Sequence, residues 1–429
     1  MTHPLRIGIA GLGTVGTSVV AIIEGQRALL RARTGSDIEI TAVSARDKNK
    51  ERSVELGAYR FESDPMALVS ASDVDVVVEL IGGAEGVAHE LVKTALKNGK
   101  HVVTANKALI AAHGASLAAE AERKNCALFF EAAVAGGIPI LKALREGLAA
   151  NAISRVIGIL NGTCNYILTH MWEGKRELAD VLAEAQALGY AEADPSFDVG
   201  GMDAAHKLAI LTALAYGAAP DLKHLHVEGI EGVSFRDMQF ADQLGYTIRL
   251  LGITSRTEQG ILQRVHPCLV AKGSSLASVR GVLGAVQVQG DSVGTVFMQG
   301  AGAGGAPTAS SVVADVMDIA RSNRSYAFGI AADKLAALKP APMASLASAY
   351  YVRIGAVDKP GVLADITASF RDSGISVKSF IQHGQAAGEK VTIVIATHTT
   401  TEADMQRALA TIAKQPSILE APFSIRIEE

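Results

Sequence analysis

The sequence predicts an α/β protein with an N-terminal doubly wound parallel sheet, an α+β middle domain and a small C-terminal βαββαβ domain. Strand and helix patterns alternate at the start of the 429-residue chain, and a compact βαββαβ pattern begins at Tyr350. A chain of this length exceeds one ordinary core, so two or three domains are expected. The predicted limits are residues 1–135, 136–325 and 350–429, with a linker at 326–349.

The first element is a glycine-rich turn between a strand and a helix. Leu5–Ala10 is a short apolar run, and Gly11, Gly13 and Gly16 follow it in the spacing G-x-G-x-x-G. The first glycine permits a tight turn, the second lets the backbone approach a pyrophosphate, and the third lets helix and strand pack closely. The start of the next helix supplies N–H donors and a positive dipole. This context predicts a Rossmann-type dinucleotide-binding domain.

Further elements continue the alternation. The N-terminal domain is expected to contain strands at Ile38–Ser44, Val74–Leu80, His101–Thr104 and Ala127–Glu131, and helices at Glu90–Lys97 and Ala108–Arg123. The glycine turn is followed by helical periodicity through SVVAIIEGQRALL. The middle domain is expected to contain a helix near Pro139–Ala149, a strand at Ile153–Leu160, two more helices and a β-rich segment from 246 to 299. The sequence KPAP at Lys339–Pro342 is typical of a loop, which indicates the linker.

The turn after the second strand bears on the type of cofactor. Arg46 at this turn favours the 2′-phosphate of NADP, whereas Asp47 beside it would favour the ribose hydroxyls of NAD. An ordinary surface arginine is an equally good interpretation of Arg46. Lys107 and Thr104 lie at the carboxyl end of another strand, where such sheets bind ligands. A solvated lysine that opens the next helix is the alternative for Lys107.

A cluster of charges precedes a helix that is apolar on almost every face. Glu192, Asp194, Asp198, Asp203 and Lys207 lie in a stretch of small and apolar residues, and the helical pattern AAHKLAILTALAYG follows. The last two of these charges are four residues apart and therefore share one side of the helix. Charges at the start of a buried helix must be paired or face a wet pocket. The segment predicts a site, although one intrahelical ion pair with solvated acids before it would explain an isolated case.

Composition excludes several classes of function. The net charge of −4 offers no electrostatic footprint for nucleic acid or an anionic membrane. No membrane span or cleavable signal is read in the sequence, so a cytoplasmic protein is expected. Cys126, Cys164 and Cys268 lie far apart without metal-ligand spacing or a disulfide framework.

Six motifs in order resemble the homoserine dehydrogenase family over about residues 5–325. They are GLGTVG, HVVTANKAL, FEAAVAGGIPI, ILNGTCNYI, GYAEADPSFDVGGMDAAHK and GAGAGGAPTASS. The tail that begins YYVRIGAVDKPGVLADIT resembles an ACT domain, a ferredoxin-like fold that often binds amino acids. The sequence shows no kinase-like extension and so resembles the monofunctional form.

The resemblance implies an NAD- or NADP-dependent interconversion of L-aspartate 4-semialdehyde and L-homoserine. It makes Lys207 the acid–base residue. The chemistry fits, because a lysine whose pKa is lowered by burial can exchange a proton with the substrate oxygen, and Asp203, one turn away, is expected to act in catalysis by orienting Lys207. The resemblance assigns Glu192 and Asp203 to the substrate, with Asn161 and Thr163 nearby. The positions assigned to the cofactor are Gly11, Gly13, Thr14, Val15, Gly16, Arg46, Thr104, Lys107, Gly189 and Gly304. A structural sodium site is implied at Glu131, Val134, Gly136 and Ile138.

The resemblance also implies regulation and assembly. The expected setting is threonine, methionine and isoleucine biosynthesis, with L-threonine as an effector of a separable C-terminal domain and a homodimer or homotetramer as the assembly. Another NAD(P)-dependent dehydrogenase with an ACT domain, and a non-enzymatic sensor of dinucleotides and amino acids, stay open as alternatives. An aspartate-semialdehyde dehydrogenase would need a thiolate with a histidine partner, for which the three cysteines show no context.

Overall fold

A computed structural model describes residues 3–383 and 389–428 of the chain. The N-terminal strands are β1 (Leu5–Ala10), β2 (Ile38–Ser44), β3 (Arg60–Glu62), β4 (Val76–Glu79), β5 (His101–Thr104) and β6 (Leu128–Phe129). The helices between them are α1 (Thr14–Gly25), α2 (Arg27–Thr34), α3 (Met66–Ser70), α4 (Val87–Lys97) and α5 (Lys107–Arg123). The six strands form one parallel sheet in the order β3-β2-β1-β4-β5-β6. The predicted doubly wound sheet is confirmed.

Two local predictions in this domain differ from the structure. The helical pattern after the glycine turn is divided at Gln26 into α1 and α2, because Gly25 ends the first helix and glycine is a poor helix former. The predicted strand Ala127–Glu131 is shorter than expected. Its last residue lies in a 3₁₀ turn, Glu131–Ala133, where the chain leaves the sheet.

The middle region combines a buried helix with long antiparallel strands. Its elements are α6 (Ile140–Lys142), β7 (Ile153–Ile159), α7 (Gly162–Gly174), α8 (Leu178–Ala187), α9 (Ser196–Val199), α10 (Met202–Tyr216), β8 (His226–Val227), α11 (Phe235–Gln243), β9 (Tyr246–Thr257), β10 (Gly260–Ala271), β11 (Leu283–Gly290), β12 (Gly294–Ala301) and α12 (Gly305–Ala320). α10 is buried along most of its length, as its apolar pattern predicts. The helix predicted near Pro139–Ala149 is α-helical only in α6 and widens into a π turn at Ala143–Gly147.

The C-terminal region has the predicted βαββαβ order. Its elements are β13 (Ala347–Val357), α13 (Val362–Asp372), β14 (Val377–His383), β15 (Lys390–Thr397), β16 (Thr400–Thr401), α14 (Glu402–Ile412) and β17 (Phe423–Glu428). The four long strands are arranged β17-β13-β15-β14, which is the ferredoxin-like order. α13 and α14 share a core with one face of these strands.

The C-terminal strands continue the sheet of the middle region. β17 pairs in parallel with β10, and Cys268 lies opposite Arg426. This pairing joins both sets of strands into one eleven-stranded sheet. The expected separability of the C-terminal domain stays a prediction, and removing this domain would expose the backbone edge of β10.

Buried polar contacts reinforce this seam. Asp237 of α11 is fully buried and accepts hydrogen bonds from the Tyr351 hydroxyl at 2.8 Å and from Nε of Arg353 at 2.7 Å. Arg426 donates to both carboxylate oxygens of Glu228 in the middle region, at 2.8 and 2.9 Å. The same guanidinium binds Glu402 of the C-terminal region at 2.7 Å. Such contacts stabilise the fold only while both partners are present, because removing one partner leaves the other charge unpaired.

The predicted linker at 326–349 is not a free tether. Its backbone bridges Ala336 to Ala218 and Pro340 to Ile261. The Ile261 amide donates to the carbonyl of Lys339 at 2.8 Å. The segment therefore runs along the middle region and is held there by main-chain hydrogen bonds.

One helix crosses the predicted boundary between the first two domains. α12 was expected in the domain 136–325, but Val312, Val313 and Val316 pack into the core formed by β1 and α1. α12 and α1 are direct neighbours. The N-terminal core is thus completed by a helix from far along the chain. None of the described helices has the length and apolar composition that crossing a bilayer requires.

Candidate active site

The glycine turn has the geometry that its spacing predicts. Gly11 has φ of 103°, and a Cβ there would lie 2.5 Å from the carbonyl oxygen of Leu80. A Cβ on Gly16 would lie 2.0 Å from the carbonyl oxygen of Gly11. A Cβ on Gly13 would meet no described protein atom within 4 Å. The outer glycines are therefore required by the fold, whereas the middle one leaves open space where a ligand can approach.

Two helices begin beside this turn. Gly13 is the N-cap of α1 and gives no side-chain cap, so the first-turn N–H groups at Thr14 and Val15 are available to an anion. Gly304 has φ of 117° and is the N-cap of α12. A Cβ on Gly305 would lie 2.7 Å from Oγ of Ser18 in α1. The loop before α12 and the start of α1 therefore lie against each other, with two helix N-termini at one surface.

A groove of about 600 Å³ extends from the glycine turn past the end of β2. Arg46, Lys50 and Arg52 line it. Arg52 donates to the carbonyl of Asp47 at 2.6 Å and so fixes the loop. The Asp47 carboxylate accepts from the amide of Asn49 at 2.8 Å, which ties it to its own turn. The groove thus presents more positive than negative charge.

A buried network shapes the carboxyl ends of β4 and β5. Glu79 is fully buried, and one of its oxygens accepts from the amides of Ile81 and Gly82 at 2.7 and 2.9 Å. Its other oxygen accepts from the Thr104 hydroxyl at 2.6 Å. The Thr104 hydroxyl also accepts from the amide of Asn106 at 3.0 Å. Its hydrogen bonds to Glu79 and Asn106 therefore hold the two strand ends in place. The network positions the start of α5, where Lys107 lies.

The Asp203 carboxylate is the centre of the charged site. It lies in the first turn of α10 and is 5% exposed. Oδ2 is 2.7 Å from Nζ of Lys207 and accepts from the side-chain amide of Asn161 at 2.8 Å. Oδ1 is 3.1 Å from Nζ of Lys107, which comes from the N-terminal domain. Lys207 also donates to the carbonyl of Leu160 at 2.7 Å. The structure therefore brings together three predicted segments that are distant in sequence.

The charge state of this cluster follows from its pairing. Burial alone would raise the pKa of Asp203, but Lys207 and Lys107 outweigh burial and lower that pKa to about 2. Burial raises the pKa of Asp198, although a hydrogen bond from Asn161 at 2.7 Å opposes the rise. Asp203 is thus ionised near neutral pH and lies between two lysine side chains.

The remaining predicted substrate and cofactor positions lie at the edge of the site. Glu192 is exposed in the loop between α8 and α9, and no described contact joins its carboxylate to the Asp203 cluster. The Thr163 hydroxyl donates to the carbonyl of Tyr190 at 2.8 Å, which ties the same loop to α7. Gly189 has φ of 76° and an exposed position at the start of this loop.

The predicted cation segment forms a tight, buried turn. Ala135 and Gly136 have φ of 55° and 43°, and the Gly136 carbonyl accepts from the Ser311 hydroxyl at 2.6 Å. The Glu131 carboxylate accepts from the amides of Leu141 and Lys142 at 2.9 and 2.8 Å, at the start of α6. Burial raises the pKa of Glu131, and the nearby carboxylate of Asp315 raises it further.

Sequence reasoning missed several residues that hold the site. Glu79 and Asn106 were not singled out, although a carboxylate that ends an apolar strand is a recognisable signal. Asn106 precedes a helix and caps it by accepting from the Leu109 amide at 3.1 Å. Phe197 was also missed, and its ring lies 5.9 Å from Nζ of Lys107. Cys164 is fully buried, and burial raises its thiol pKa, which is inconsistent with a nucleophile.

The dinucleotide fold and the lysine–carboxylate site together define an NAD(P)-dependent oxidoreductase. Family models support this class in three segments: homoserine dehydrogenase, NAD binding domain at residues 11–131, homoserine dehydrogenase at 139–317, and ACT domain at 350–417. The chain belongs to the homoserine dehydrogenase family. The predicted family, fold class and enzyme class are confirmed.

Individual relatives cover the whole chain. The homoserine dehydrogenase of Neisseria gonorrhoeae is 45% identical over 431 residues, which are 99% of this chain and 99% of that protein. A crystal structure of a homoserine dehydrogenase from Thiobacillus denitrificans has a TM-score of 0.94 at 43% identity, with 99% of this chain and 98% of that chain covered. A hyperthermophilic archaeal homoserine dehydrogenase in complex with NADPH has a TM-score of 0.62 at 30% identity, with 73% and 97% covered.

The three glycines of the turn provide a test of the cofactor surface. Gly13 has φ of −79°, so Gly13→Ala introduces no backbone strain and fills only the open space. We expect this variant to keep its melting temperature and to bind NADPH about tenfold more weakly or worse, a loss of about 1.4 kcal/mol. Gly16→Ala is the matched control for packing, since its methyl group would collide with the Gly11 carbonyl and lower the melting temperature. Unchanged NADPH affinity in Gly13→Ala, measured by fluorescence titration, would contradict this assignment.

Proposed function

We propose that this chain interconverts L-aspartate 4-semialdehyde and L-homoserine at the Asp203 cluster, with Lys207 as the acid–base residue. The observation that carries the proposal is the lysine geometry. An ammonium group has three N–H donors. Two N–H groups of Lys207 donate to protein acceptors, the Asp203 carboxylate and the carbonyl of Leu160. The third can donate to the substrate oxygen when the semialdehyde is reduced, and the amine can receive that proton in the oxidation.

The bound nicotinamide cofactor would supply or accept the hydride. The protein must then hold the substrate carbon in line and move one proton at its oxygen. Asp203 positions Lys207 through the 2.7 Å ion pair and balances its charge. Lys107 is half-buried and pairs with the other oxygen of Asp203, which supports a second role for this residue beside the proposed reacting centre. We assign it to both tasks, positioning Asp203 and contacting the ligands.

Glu192, Asn161 and Thr163 complete the proposed substrate site. A carboxylate such as Glu192 is a suitable partner for the ammonium group of an amino acid. Asn161 orients two acids at once, since its amide donates to Asp198 and Asp203. Thr163 supports the loop that carries Glu192. An exposed position of Glu192 is compatible with a loop that moves onto the substrate.

The groove favours NADP over NAD. Three basic side chains line the groove at the end of β2, and the Asp47 carboxylate is engaged in its own turn. An arginine there can form charged hydrogen bonds with a 2′-phosphate. The NADPH complex of the archaeal relative is consistent with this preference. The cofactor surface would comprise the glycine turn, Arg46, Lys107 and the loops at Gly189 and Gly304.

A structural sodium ion fits the turn that follows β6. Val134, Gly136 and Ile138 offer carbonyl oxygens, and Glu131 offers a carboxylate and a carbonyl, which are the hard donors such an ion prefers. A second buried carboxylate, Asp315, lies beside the turn, where it accepts from the Glu131 amide at 2.8 Å and pairs with Nζ of Lys142 at 3.6 Å. These residues would hold the ion away from the Lys207 site, in a structural role.

The C-terminal region is proposed to bind L-threonine and lower activity. Gly361 is the N-cap of α13 with φ of 92° and no side-chain cap, so N–H groups are available to a carboxylate. Asp358 lies at the same turn and can take an ammonium group. Since β17 is hydrogen-bonded to β10, a shift here reaches the middle region without an intervening linker. Cytoplasmic biosynthesis of threonine, methionine and isoleucine, in a homodimer or homotetramer, is the corresponding setting.

Replacing Lys207 tests the proton transfer. We expect Lys207→Ala to lower kcat about 10²–10⁴-fold while NADPH binding and the melting temperature stay close to those of the unmodified protein, as for a lost acid–base group. Glu192→Gln should act mainly on the KM for homoserine. Lys223→Ala changes an exposed lysine away from the cluster and serves as the control. Near-normal kcat in Lys207→Ala would remove this residue from the mechanism and direct attention to Lys107.

Replacing Arg46 tests the cofactor preference. Arg46→Ala should weaken NADP binding by about 1–3 kcal/mol, the usual value of a charged hydrogen bond, and leave NAD binding unchanged. The control is Lys48→Ala, because the Lys48 ammonium lies over the ring of Phe61, 5.8 Å from its centroid, and is not among the side chains that line the groove. Steady-state assays with each cofactor measure both effects. An equal loss for NAD and NADP would mean that Arg46 only supports the loop.

Threonine titration tests the regulatory proposal. L-threonine should lower the activity of the full-length enzyme, because an effector shifts activity when it binds two states unequally. D-threonine serves as the stereochemical control. Asp358→Asn should remove the response and leave the activity without effector unchanged. If L-threonine has no effect on the unmodified enzyme, the C-terminal region serves assembly alone.

A further inference from the structure

A group of three potential metal ligands lies beside the cofactor groove and outside the Asp203 cluster. Glu85 is in the loop between β4 and α4, His89 is in the first turn of α4, and His113 is in α5. One ligand atom from each residue lies within 4.8 Å of the other two. The predicted cofactor, substrate and sodium sites use none of these side chains.

The geometry converges on the Glu85 carboxylate. Its Oε1 lies 2.6 Å from Nε2 of His113, and its Oε2 lies 3.6 Å from Nδ1 of His89. The two imidazole rings are stacked, with centroids 4.1 Å apart and planes 6° from parallel. One nitrogen of each ring faces the Glu85 carboxylate, and a turn of one ring out of the stack lets both nitrogens bind one ion. Two imidazole nitrogens and one carboxylate oxygen form a common ligand set for zinc, with one position left open.

Packed helices place the two histidines side by side, whereas the glutamate lies on an exposed loop. α4 and α5 pack against each other, and the side chains of His89 and His113 are only 18% and 26% exposed. Glu85 is 72% exposed. Gly83 and Gly86 on either side of it have φ of 91° and 73°. A carboxylate on a glycine-flanked loop can close onto an ion that the two neighbouring imidazoles bind.

This loop also belongs to the cofactor groove. Ile81 and Val87, on either side of the glutamate, line the groove. The beginning of the loop is fixed by Glu79, and the Gly83 carbonyl accepts from the side-chain amide of Asn106 at 2.7 Å. An ion at Glu85 would fix the other end. Its occupancy would then be linked to the cofactor affinity by the shared loop.

We propose that Glu85, His89 and His113 bind a divalent transition-metal ion of the zinc class, which fastens the loop between β4 and α4 to α5 at the edge of the cofactor groove. The ion takes one oxygen and two imidazole nitrogens from the protein, and water fills the open position. It replaces the proton in the Glu85–His113 hydrogen bond, so binding releases a proton to solvent when that pair is protonated. It takes no part in hydride transfer.

Metal binding can be measured on the full-length protein after treatment with a chelator. Zn²⁺ titration by calorimetry should give one site per chain, and Co²⁺ should give visible absorption bands of a nitrogen- and oxygen-coordinated ion. The double variant His89→Ala/His113→Ala should weaken Zn²⁺ binding at least about 100-fold, since two of three protein ligands are lost. His170→Ala is the matched control, because His170 forms a helix-surface pair with Glu173 at 4.0 Å. The control should bind Zn²⁺ as the unmodified protein does.

A second measurement addresses the link to the cofactor. Zn²⁺ should raise the melting temperature and change the Kd of NADPH in the unmodified protein, but should do neither in the double variant. Equal Zn²⁺ affinity in the double variant and the unmodified protein would overturn the site. Zn²⁺ binding that depends on the histidines but leaves the Kd of NADPH unchanged would overturn the link. The Lys207 and Arg46 experiments are independent of both results.

Discussion

The buried carboxylate of Asp203 is the interaction on which the candidate site depends. A bare carboxylate in the interior would be costly, and Asp203 avoids that cost through two ammonium groups and one amide. Those partners come from three parts of the chain: Lys107 starts α5, Asn161 follows β7, and Lys207 lies one helical turn away. The requirement to pair one charge therefore fixes the N-terminal domain against α10, and holds Lys207 at the junction between the two.

The cofactor surface depends on an exchange of elements between the first two domains. α12 follows the middle region in sequence but completes the apolar core around β1 and α1. Its first turn lies beside that of α1, because Gly305 approaches Ser18 too closely for any side chain. Two helix N-termini thereby contribute positive dipole to one place. A change at the loop before α12 would affect the phosphate surface and the middle region together.

The eleven-stranded sheet gives the C-terminal region a direct mechanical connection. Backbone pairing of β10 with β17 is supported by the buried contact of Asp237 with Tyr351 and the partly buried contact of Glu228 with Arg426. Each contact joins a charged group of the middle region to a partner in the C-terminal region. Movement of α13 or α14 must therefore either preserve these pairs or expose a buried charge. The same contacts would make a two-state response cooperative, because an intermediate position leaves the charges unpaired.

The sequence by itself determined the local elements and the types of chemistry. The glycine spacing at Gly11–Gly16 specified a strand–turn–helix for a dinucleotide, since only glycine tolerates the approaches found at Gly11 and Gly16. The apolar pattern after Ala204 specified a buried helix with Asp203 and Lys207 on one side. The βαββαβ order was also readable, because strand and helix periods are local properties.

Only the tertiary structure decided which distant residues meet. The pairing of Lys107 with Asp203, the return of α12 to the first core and the joining of β17 to β10 have no local signal, because each depends on surfaces distant in sequence. The break at Gln26 and the early end of α6 were missed because propensity and tertiary packing compete there. Local patterns state what each segment can form. The burial of charges and apolar faces, a property of the whole chain, determines how those segments combine.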